Sequence, residues 1–281
     1  MTAMPSIAAA LAQATAALGG SSSPRLDAEV LLAAALGVAR TALYRAPERC
    51  LEPASAARYS ALVAARARGV PVAYLIGQCE FWSLTLEVTT DVLVPRPDTE
   101  TLVEVALELS PPDRPQVVVD LGTGSGAIAA ALAHERPLAQ VVATDLSAAA
   151  LALAKRNLAR LGLARVALVR GDWLSPLDSS AIDLVVANPP YVGTAESDRL
   201  GPELAFEPPA ALFAGHDGLA ALDTLIAQAG RGLKRGAWLA VEHGAGQGEA
   251  VLARFATHGF VTTMTRRDLA GRARVTCGRR G

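Results

Sequence analysis

The stretch Ile182-Asp183-Leu184-Val185-Val186-Ala187-Asn188-Pro189-Pro190-Tyr191 decides the fold class. Its first six residues are almost continuously apolar, the pattern of a strand buried on both faces of a parallel sheet rather than the alternation of a half-exposed one. The run stops at a polar residue and two prolines. Each proline fixes its own φ, lacks an N–H and drives the preceding residue into the extended region, so Asn188 and the Pro189 carbonyl are held with little freedom. In open α/β sheets ligands bind beyond the carboxyl ends of the strands, which puts this tetrapeptide where a substrate lies. The side-chain oxygen of Asn188 and the main-chain oxygen of Pro189 form a pair of acceptors that match the two N–H donors of a planar NH2 group. Asn-Pro is also a common turn signal, and the tetrapeptide alone is compatible with no more than that.

The same alternation of short apolar runs and helical patterns extends to both sides. Strands are expected at 117–120, 140–144, 166–169, 182–187 and 237–242, with helices at 127–134, 147–161, 219–233 and 248–258 between or after them. A closing hairpin is expected from 260–265 and 272–277. This reads as an α/β, doubly wound domain with an antiparallel edge. Before residue 74 the chain instead reads as a small helical bundle, with helices at 6–18, from Ser23-Pro24 to near Gly37, from near Thr41 and at 53–68, and no cluster of ionisable residues. Residues 80–88 are rich in aromatic and β-branched residues and read as a strand, with Gly77-Gln78 as its hairpin turn. In Val94-Pro95-Arg96-Pro97-Asp98-Thr99-Glu100, Asp98 is the expected N-cap of a helix whose apolar face is Leu102, Val105, Ala106 and Leu109. The expected domains are 1–73, helical; 74–95, a β-hairpin linker; and 96–281.

A cofactor site is expected at Gly122-Thr123-Gly124-Ser125-Gly126, the loop between the first strand of the α/β region and its helix. Glycines let a ligand approach the backbone, and a helix N-terminus favours an anion. Asp145, about 20 residues past the last glycine and at a strand end, is placed to accept both hydroxyls of a ribose. Trp173 offers an aromatic face for an adenine. Gly122-x-Gly124-x-x-Ala127 also satisfies a dinucleotide fingerprint, so a nicotinamide cofactor competes with S-adenosylmethionine at this point. The lack of a histidine at a strand end for hydride chemistry, together with Asn188 to Tyr191, favours methyl transfer. Fixed acceptors on the two N–H groups of an amide turn its nitrogen toward a sulfonium methyl. Tyr191 and Phe206-Glu207-Pro208 are candidate walls, and Arg96, fixed between two prolines, is either a salt-bridge partner or a residue of the site mouth.

Composition narrows the partners. The chain has 281 residues, 51% of them hydrophobic, and 26 basic against 27 acidic residues give a net charge of −1. That balance argues against a nucleic-acid or membrane-surface protein. Three scattered cysteines, Cys50, Cys79 and Cys277, with no C-x-x-C pair and no clustered histidines, argue against a disulfide framework and a structural zinc site. No metal is expected. The first twenty residues lack the basic start of a signal peptide and no apolar run is long enough to span a bilayer, so a cytoplasmic protein is expected.

These motifs, with Pro71-Val72-Ala73-Tyr74-Leu75-Ile76-Gly77, Glu80-Phe81-Trp82, Gly171-Asp172-Trp173 and Asp268-Leu269-Ala270-Gly271-Arg272, resemble the release factor glutamine methyltransferase family over nearly the whole chain. The resemblance implies a Rossmann-like methyltransferase domain that uses S-adenosylmethionine. It also implies that the enzyme methylates N5 of the glutamine in the Gly-Gly-Gln motif of class I peptide chain release factors, with the helical domain recognising that substrate. Gly122, Thr123, Gly124, Ser125, Gly126, Asp145, Trp173 and Asn188 are then the cofactor-binding residues. Asn188, Pro189, Pro190 and Tyr191 grip the glutamine, with Asn188, Pro189 and Tyr191 the catalytic set. A monomer is favoured and no direct nucleic-acid contact is expected. Asn-Pro-Pro-Tyr alone is shared with enzymes that methylate adenine or guanine amino groups, and a sister group acts on a ribosomal-protein glutamine, so both remain alternatives. Ser83 stands where the family usually has glycine, and Ala273 where it usually has an acidic residue; the closing hairpin is accordingly given no part in the site.

Overall fold

A seven-stranded sheet carries the second half of the chain in the computed structural model, which describes residues 4–281 apart from the side chains of residues 198 and 199. The strands are β1 (Gln78–Phe81), β2 (Leu84–Glu87), β3 (Val117–Leu121), β4 (Gln140–Asp145), β5 (Ala167–Arg170), β6 (Leu184–Ala187), β7 (Trp238–Glu242), β8 (Phe260–Arg267) and β9 (Ala273–Arg280). The first two form a separate hairpin, and the others are ordered β5-β4-β3-β6-β7-β9-β8. Pairing is parallel from β5 through β7 and antiparallel for β7-β9 and β9-β8, which is the expected doubly wound sheet with an antiparallel edge.

Alternate residues of the central strands feed two cores, one on each face of the sheet. Val118, Leu184 and Val186 pack with the helices Glu100–Leu109 and Ala127–Glu135. Val119, Val185 and Ala187 pack with Ala220–Gly232 and Gly248–Thr257. Burial on both faces is the physical reason that β6 is apolar throughout and β3 is apolar except at Asp120, and each large aliphatic side chain so buried contributes roughly 1.5–3 kcal/mol. Phe255, fully buried with its ring centroid 4.9 Å from that of Phe260, closes the second core.

The chain divides into two compact units, Met1–Gln78 with Gly201–Phe206, and Cys79–Leu200 with Glu207–Gly281. In the first, helices Ile7–Ala17, Pro24–Leu36, Pro53–Ala67 and Val72–Ile76 bury Leu11, Leu31, Leu32, Leu43 and Tyr59. Ser6 caps its helix by accepting the Ala9 N–H, but Ser23 does not cap the next one. Its hydroxyl donates to Asp27, as does that of Ser21, and the buried Arg66 guanidinium pairs with Asp27 at 2.7 Å and with Glu203 at 2.5 Å.

Two local expectations are corrected. The strand expected at 80–88 is a hairpin, because Trp82 and Ser83 both adopt positive φ, 51° and 58°, and reverse the chain between β1 and β2. A two-residue turn with both residues left-handed is a geometry that glycine suits, and here Trp82 and Ser83 adopt it. Gly77, expected in that turn, instead caps Val72–Ile76 in the left-handed conformation. The hairpin expected as a linker buries Phe81 and Leu86 in the first core of the second unit. Asp98 is not an N-cap: residues Pro97–Thr99 form a 3-10 turn before Glu100–Leu109, and the Asp98 carboxylate pairs with Arg272 and Arg274.

Candidate functional site

β3 and β6 are neighbours, paired Val118 to Leu184 through Leu121 to Ala187, so the glycine loop and Asn188 leave the sheet at the same level. From β3 the chain winds outward through β4 and β5, and from β6 it winds the other way through β7. This is the topological switch point, and a cavity of about 430 Å³ lies there. It is lined from the first side by Gly122 to Ser125, from β4 by Asp145 and from the next loop by Trp173. Asn188, Pro190, Thr99 and Pro208 line it elsewhere.

The loop is shaped by glycine conformation. Gly122, Gly124 and Gly126 have φ of 71°, 54° and 84°, a region that costs other residues roughly 1–2 kcal/mol. A side chain at Gly122 would meet the Trp173 ring at 3.4 Å, and one at Gly126 would meet Ala154 at 3.1 Å. The first glycine therefore opens the cavity against Trp173, and the last brings the helix Ala127–Glu135 against its neighbour. Beneath the loop Asp120, fully buried, accepts the Thr123 hydroxyl at 2.6 Å and the Ala129 N–H at 3.2 Å. Burial pushes its carboxyl up to about 7, against these two bonds and with the Asp145 charge adding to the rise. Asp145 Oδ2 accepts the Gly124 N–H at 2.9 Å and Oδ1 the Ser147 N–H at 2.8 Å, which aims the carboxylate along the cavity edge with a lone pair left on each oxygen.

The β6 side is built from side chains. Asn188 Nδ2 donates to Thr99 Oγ1 at 3.1 Å, which sets the amide with Oδ1 as its remaining acceptor. Pro190 lines the cavity while Pro189 is buried. Tyr191 was expected as a wall, but it is not among the lining residues, because its hydroxyl donates to Glu242 Oε1 at 3.0 Å. Its carbonyl accepts from Gln247 Nε2 at 3.0 Å, which anchors the loop behind the two prolines. Of the segment expected as a further wall, Pro208 lines the cavity, Glu207 is buried and Phe206 belongs to the first unit. Glu207 pairs with Arg96 and accepts the Val94 N–H, so Arg96 holds Pro95 and Pro208, both cavity residues, through one ion pair.

Sequence reasoning missed Thr99 and Glu242. Glu242 ends β7, is wholly buried, and is pushed up to about 7 by that burial; the Thr99 and Tyr191 hydroxyls and the Arg274 charge oppose the rise and Asp98 adds to it. Its Oε2 has no hydrogen-bond partner among the described residues. The rule that picked out Asp145, a carboxylate at the carboxyl end of a strand, applies to Glu242 as well. No residue of the closing hairpin lines the cavity; Arg274 of β9 is buried, pairs with Asp98 at 3.0 Å and Asp268 at 3.2 Å, and favours the charged form of Glu242. Among the described residues no cluster is suited to a metal ion, the three cysteines are free, and no helix is long and apolar enough to cross a membrane.

Solved structures with a similar fold include the ribosomal protein L11 methylase of Lactobacillus delbrueckii subsp. bulgaricus, with a TM-score of 0.50 at 24% identity over 68% of this chain and 82% of that one. The hMettl16 catalytic domain, solved with a MAT2A 3'UTR hairpin, has a TM-score of 0.58 at 16% identity, with 80% of each chain covered. Residues 9–77 match the family described as PrmC N-terminal domain, and residues 98–217 match the one described as Methyltransferase small domain. The chain is 48% identical to the release factor glutamine methyltransferase of Xylella fastidiosa strain Temecula1, with 98% of both chains covered. Its identity to that of Pseudomonas aeruginosa is 46%, with 93% of this chain and 94% of the other covered. With that identity held over nearly the whole length of each chain, the chain belongs to the release factor glutamine methyltransferase family.

Proposed function

We propose that this protein transfers a methyl group from S-adenosylmethionine to the side-chain amide nitrogen of the glutamine in the Gly-Gly-Gln motif of a class I peptide chain release factor. The observation that carries the reading is the Asn188 amide: its Nδ2 is committed to Thr99, leaving an oxygen acceptor on the wall of a cavity whose other wall is the glycine loop. The names of the full-length relatives support the partner. The near-zero net charge supports a protein rather than a nucleic-acid acceptor.

The residues present fit the cofactor. A glycine loop whose Gly122 would set a side chain against the Trp173 ring, a carboxylate at the edge and an aromatic wall surround a space of about 430 Å³. The Gly122 to Gly126 backbone and the following helix N-terminus would take the carboxylate of the methionine part, Asp145 the ribose hydroxyls and Trp173 the adenine face. When bound, S-adenosylmethionine supplies a methyl carbon made electrophilic by a sulfonium. Asn188 Oδ1 and the Pro189 carbonyl accept the two N–H groups of the glutamine, which orients its nitrogen for in-line attack. The cofactor would give up its methyl carbon to that nitrogen and keep the electron pair of the carbon–sulfur bond on sulfur, and the surplus N–H proton would pass to water. Pro190 and Pro208 exclude water around the reacting atoms. The helical unit is the recognition element for the release factor, and the enzyme works in the cytoplasm as a monomer.

Mass spectrometry of a class I release factor after incubation with enzyme and cofactor tests this directly. The expected result is one methyl on the Gly-Gly-Gln glutamine and none when that glutamine is replaced by asparagine, whose shorter arm withdraws the nitrogen. Methyl on nucleic acid and none on the release factor would replace this reading with an amino-methyltransferase.

A further inference from the structure

We infer that Arg96 and Glu207 are positioning residues for the acceptor glutamine: their ion pair sets the spacing of two proline walls and steadies the turn that holds Asn188. The inference rests on the reading that Asn188 accepts an N–H of the substrate amide. The two residues adjoin cavity residues on separate stretches of chain, Arg96 after Pro95 and Glu207 before Pro208. Each stretch is stiff in itself, since Pro95 and Pro97 flank Arg96 and Pro208-Pro209 follow Glu207. Proline also removes the N–H by which one chain segment is commonly fastened to another, so here a side chain makes the join. The Glu207 carboxylate does so with both oxygens: Oε1 pairs with the Arg96 guanidinium and Oε2 accepts the Val94 N–H at 3.3 Å.

From Arg96 the link runs on to the residue that holds the acceptor. The Thr99 N–H donates to the Arg96 carbonyl at 3.1 Å, which closes the turn Pro97–Thr99, and the Thr99 hydroxyl accepts from Asn188 Nδ2 at 3.1 Å. Fixing Arg96 therefore fixes the start of the turn whose end holds the amide. From Glu207 the link reaches the same place by the other side. The Val192 N–H donates to the Leu212 carbonyl at 2.9 Å and the Ala214 N–H to the Val192 carbonyl at 3.0 Å, so the chain after Pro208 is fastened to the chain after Tyr191. One ion pair thus closes a ring of contacts around Asn188. Stability alone does not account for a charge pair at this position. The Glu207 side chain is 0% exposed and that of Arg96 33%, and a pair so desolvated adds little over apolar groups of the same size. What it adds is a defined geometry, because a planar guanidinium meets a carboxylate in few orientations.

The test compares Arg96→Met, Glu207→Gln, the two combined, and Arg96→Lys. Each is followed by thermal unfolding, calorimetric S-adenosylmethionine binding and single-turnover methylation of the release factor at saturating enzyme and cofactor. Arg96→Met leaves a buried carboxylate without its cation and melts below the wild type, whereas the combined variant, with both charges gone, regains most of that stability. Turnover does not follow stability. Each single variant and the combined one lose the same factor, roughly tenfold or more, because the pair acts as a unit. Cofactor affinity stays at the wild-type value, and Arg96→Lys, which keeps the charge but not the planar fork, recovers part of the turnover. A combined variant with wild-type turnover overturns the inference, as do single losses that multiply when combined, or turnover that falls only in step with stability or cofactor affinity. Should the combined variant fail to fold, wild-type turnover in both Glu207→Gln and Arg96→Lys overturns it equally. Asn188→Ala separates the two levels. If it is inactive while the Arg96 and Glu207 variants behave as wild type, only this inference falls; if it is fully active, the reading of Asn188 falls.

Discussion

β3 and β6 lie side by side, are paired through their last residues and are buried to the same depth, yet they end in opposite ways. β3 runs into glycines, and what it offers a ligand is backbone: N–H groups, a helix N-terminus and space that a Cβ would fill. β6 runs into Asn188 and two prolines, and what it offers is one side-chain amide whose direction depends on Thr99, 89 residues earlier in the chain. A site made of backbone is complete once its loop folds. A site made of a side chain is only as defined as the group that holds that side chain, and here that group is Thr99, in the turn before Glu100–Leu109.

The sharpest way to break the comparison is to truncate the β6 amide. Asn188→Ala removes a contact made to the reacting group itself, so it is expected to lower turnover by roughly 10²-fold or more while the glycine loop still binds S-adenosylmethionine. Single-turnover methylation and calorimetric cofactor binding on the same preparation check both halves. Cofactor affinity falling in step with turnover would show that the two strand ends are one site rather than two.

The corresponding change on the β3 side is Asp145→Ala. It leaves the Gly124 and Ser147 N–H groups without their acceptor as well as removing the partner for the ribose, so cofactor affinity is expected to weaken by about 1–3 kcal/mol. Turnover at saturating cofactor changes much less. An unchanged affinity in the folded variant would take Asp145 out of the cofactor site and leave the glycine loop to carry it alone.

This division also explains what the sequence could tell. The alternation of apolar strands and helices, the edge hairpin and the glycine loop were legible because each is a local pattern with a local cause: burial on both faces, or a positive φ. The turn at Trp82-Ser83 was not, since two non-glycine residues occupy left-handed positions, held by the pairing of β1 with β2 and by the bonds Trp82 donates to Glu100 and Glu135. Asp98 read as a helix cap because its position fits, and its true partners, Arg272 and Arg274, are at the far end of the chain. Thr99 was invisible for the same reason, whereas Glu242, a carboxylate at the end of a strand, was open to the rule that found Asp145. Asn188 could be picked out from the prolines that follow it, but Thr99, which holds its amide, is adjacent to it only in the folded chain.

The smallest expected effect concerns the carboxyl under the β3 loop and appears in stability rather than activity. Asp120 is raised from its ordinary range to about 7 by burial, so between pH 6 and 8 the folded protein holds a proton there that the unfolded chain has already released. The favourable contribution of that proton is present at low pH and is lost as pH rises through 7. Averaged over the two pH units, about half a proton separates the two states, which amounts to about 1 kcal/mol of unfolding free energy. Asp120→Asn cannot titrate, yet its oxygen can still accept the Thr123 hydroxyl and the Ala129 N–H. Denaturant unfolding of the variant should therefore lose about 1 kcal/mol less than the wild type between pH 6 and 8, at constant salt and without cofactor. Equal losses in the two proteins would mean that Asp120 keeps an ordinary carboxylate pKa. The loop would then be braced by a charged group, and the β3 end would no longer be a site built of backbone alone.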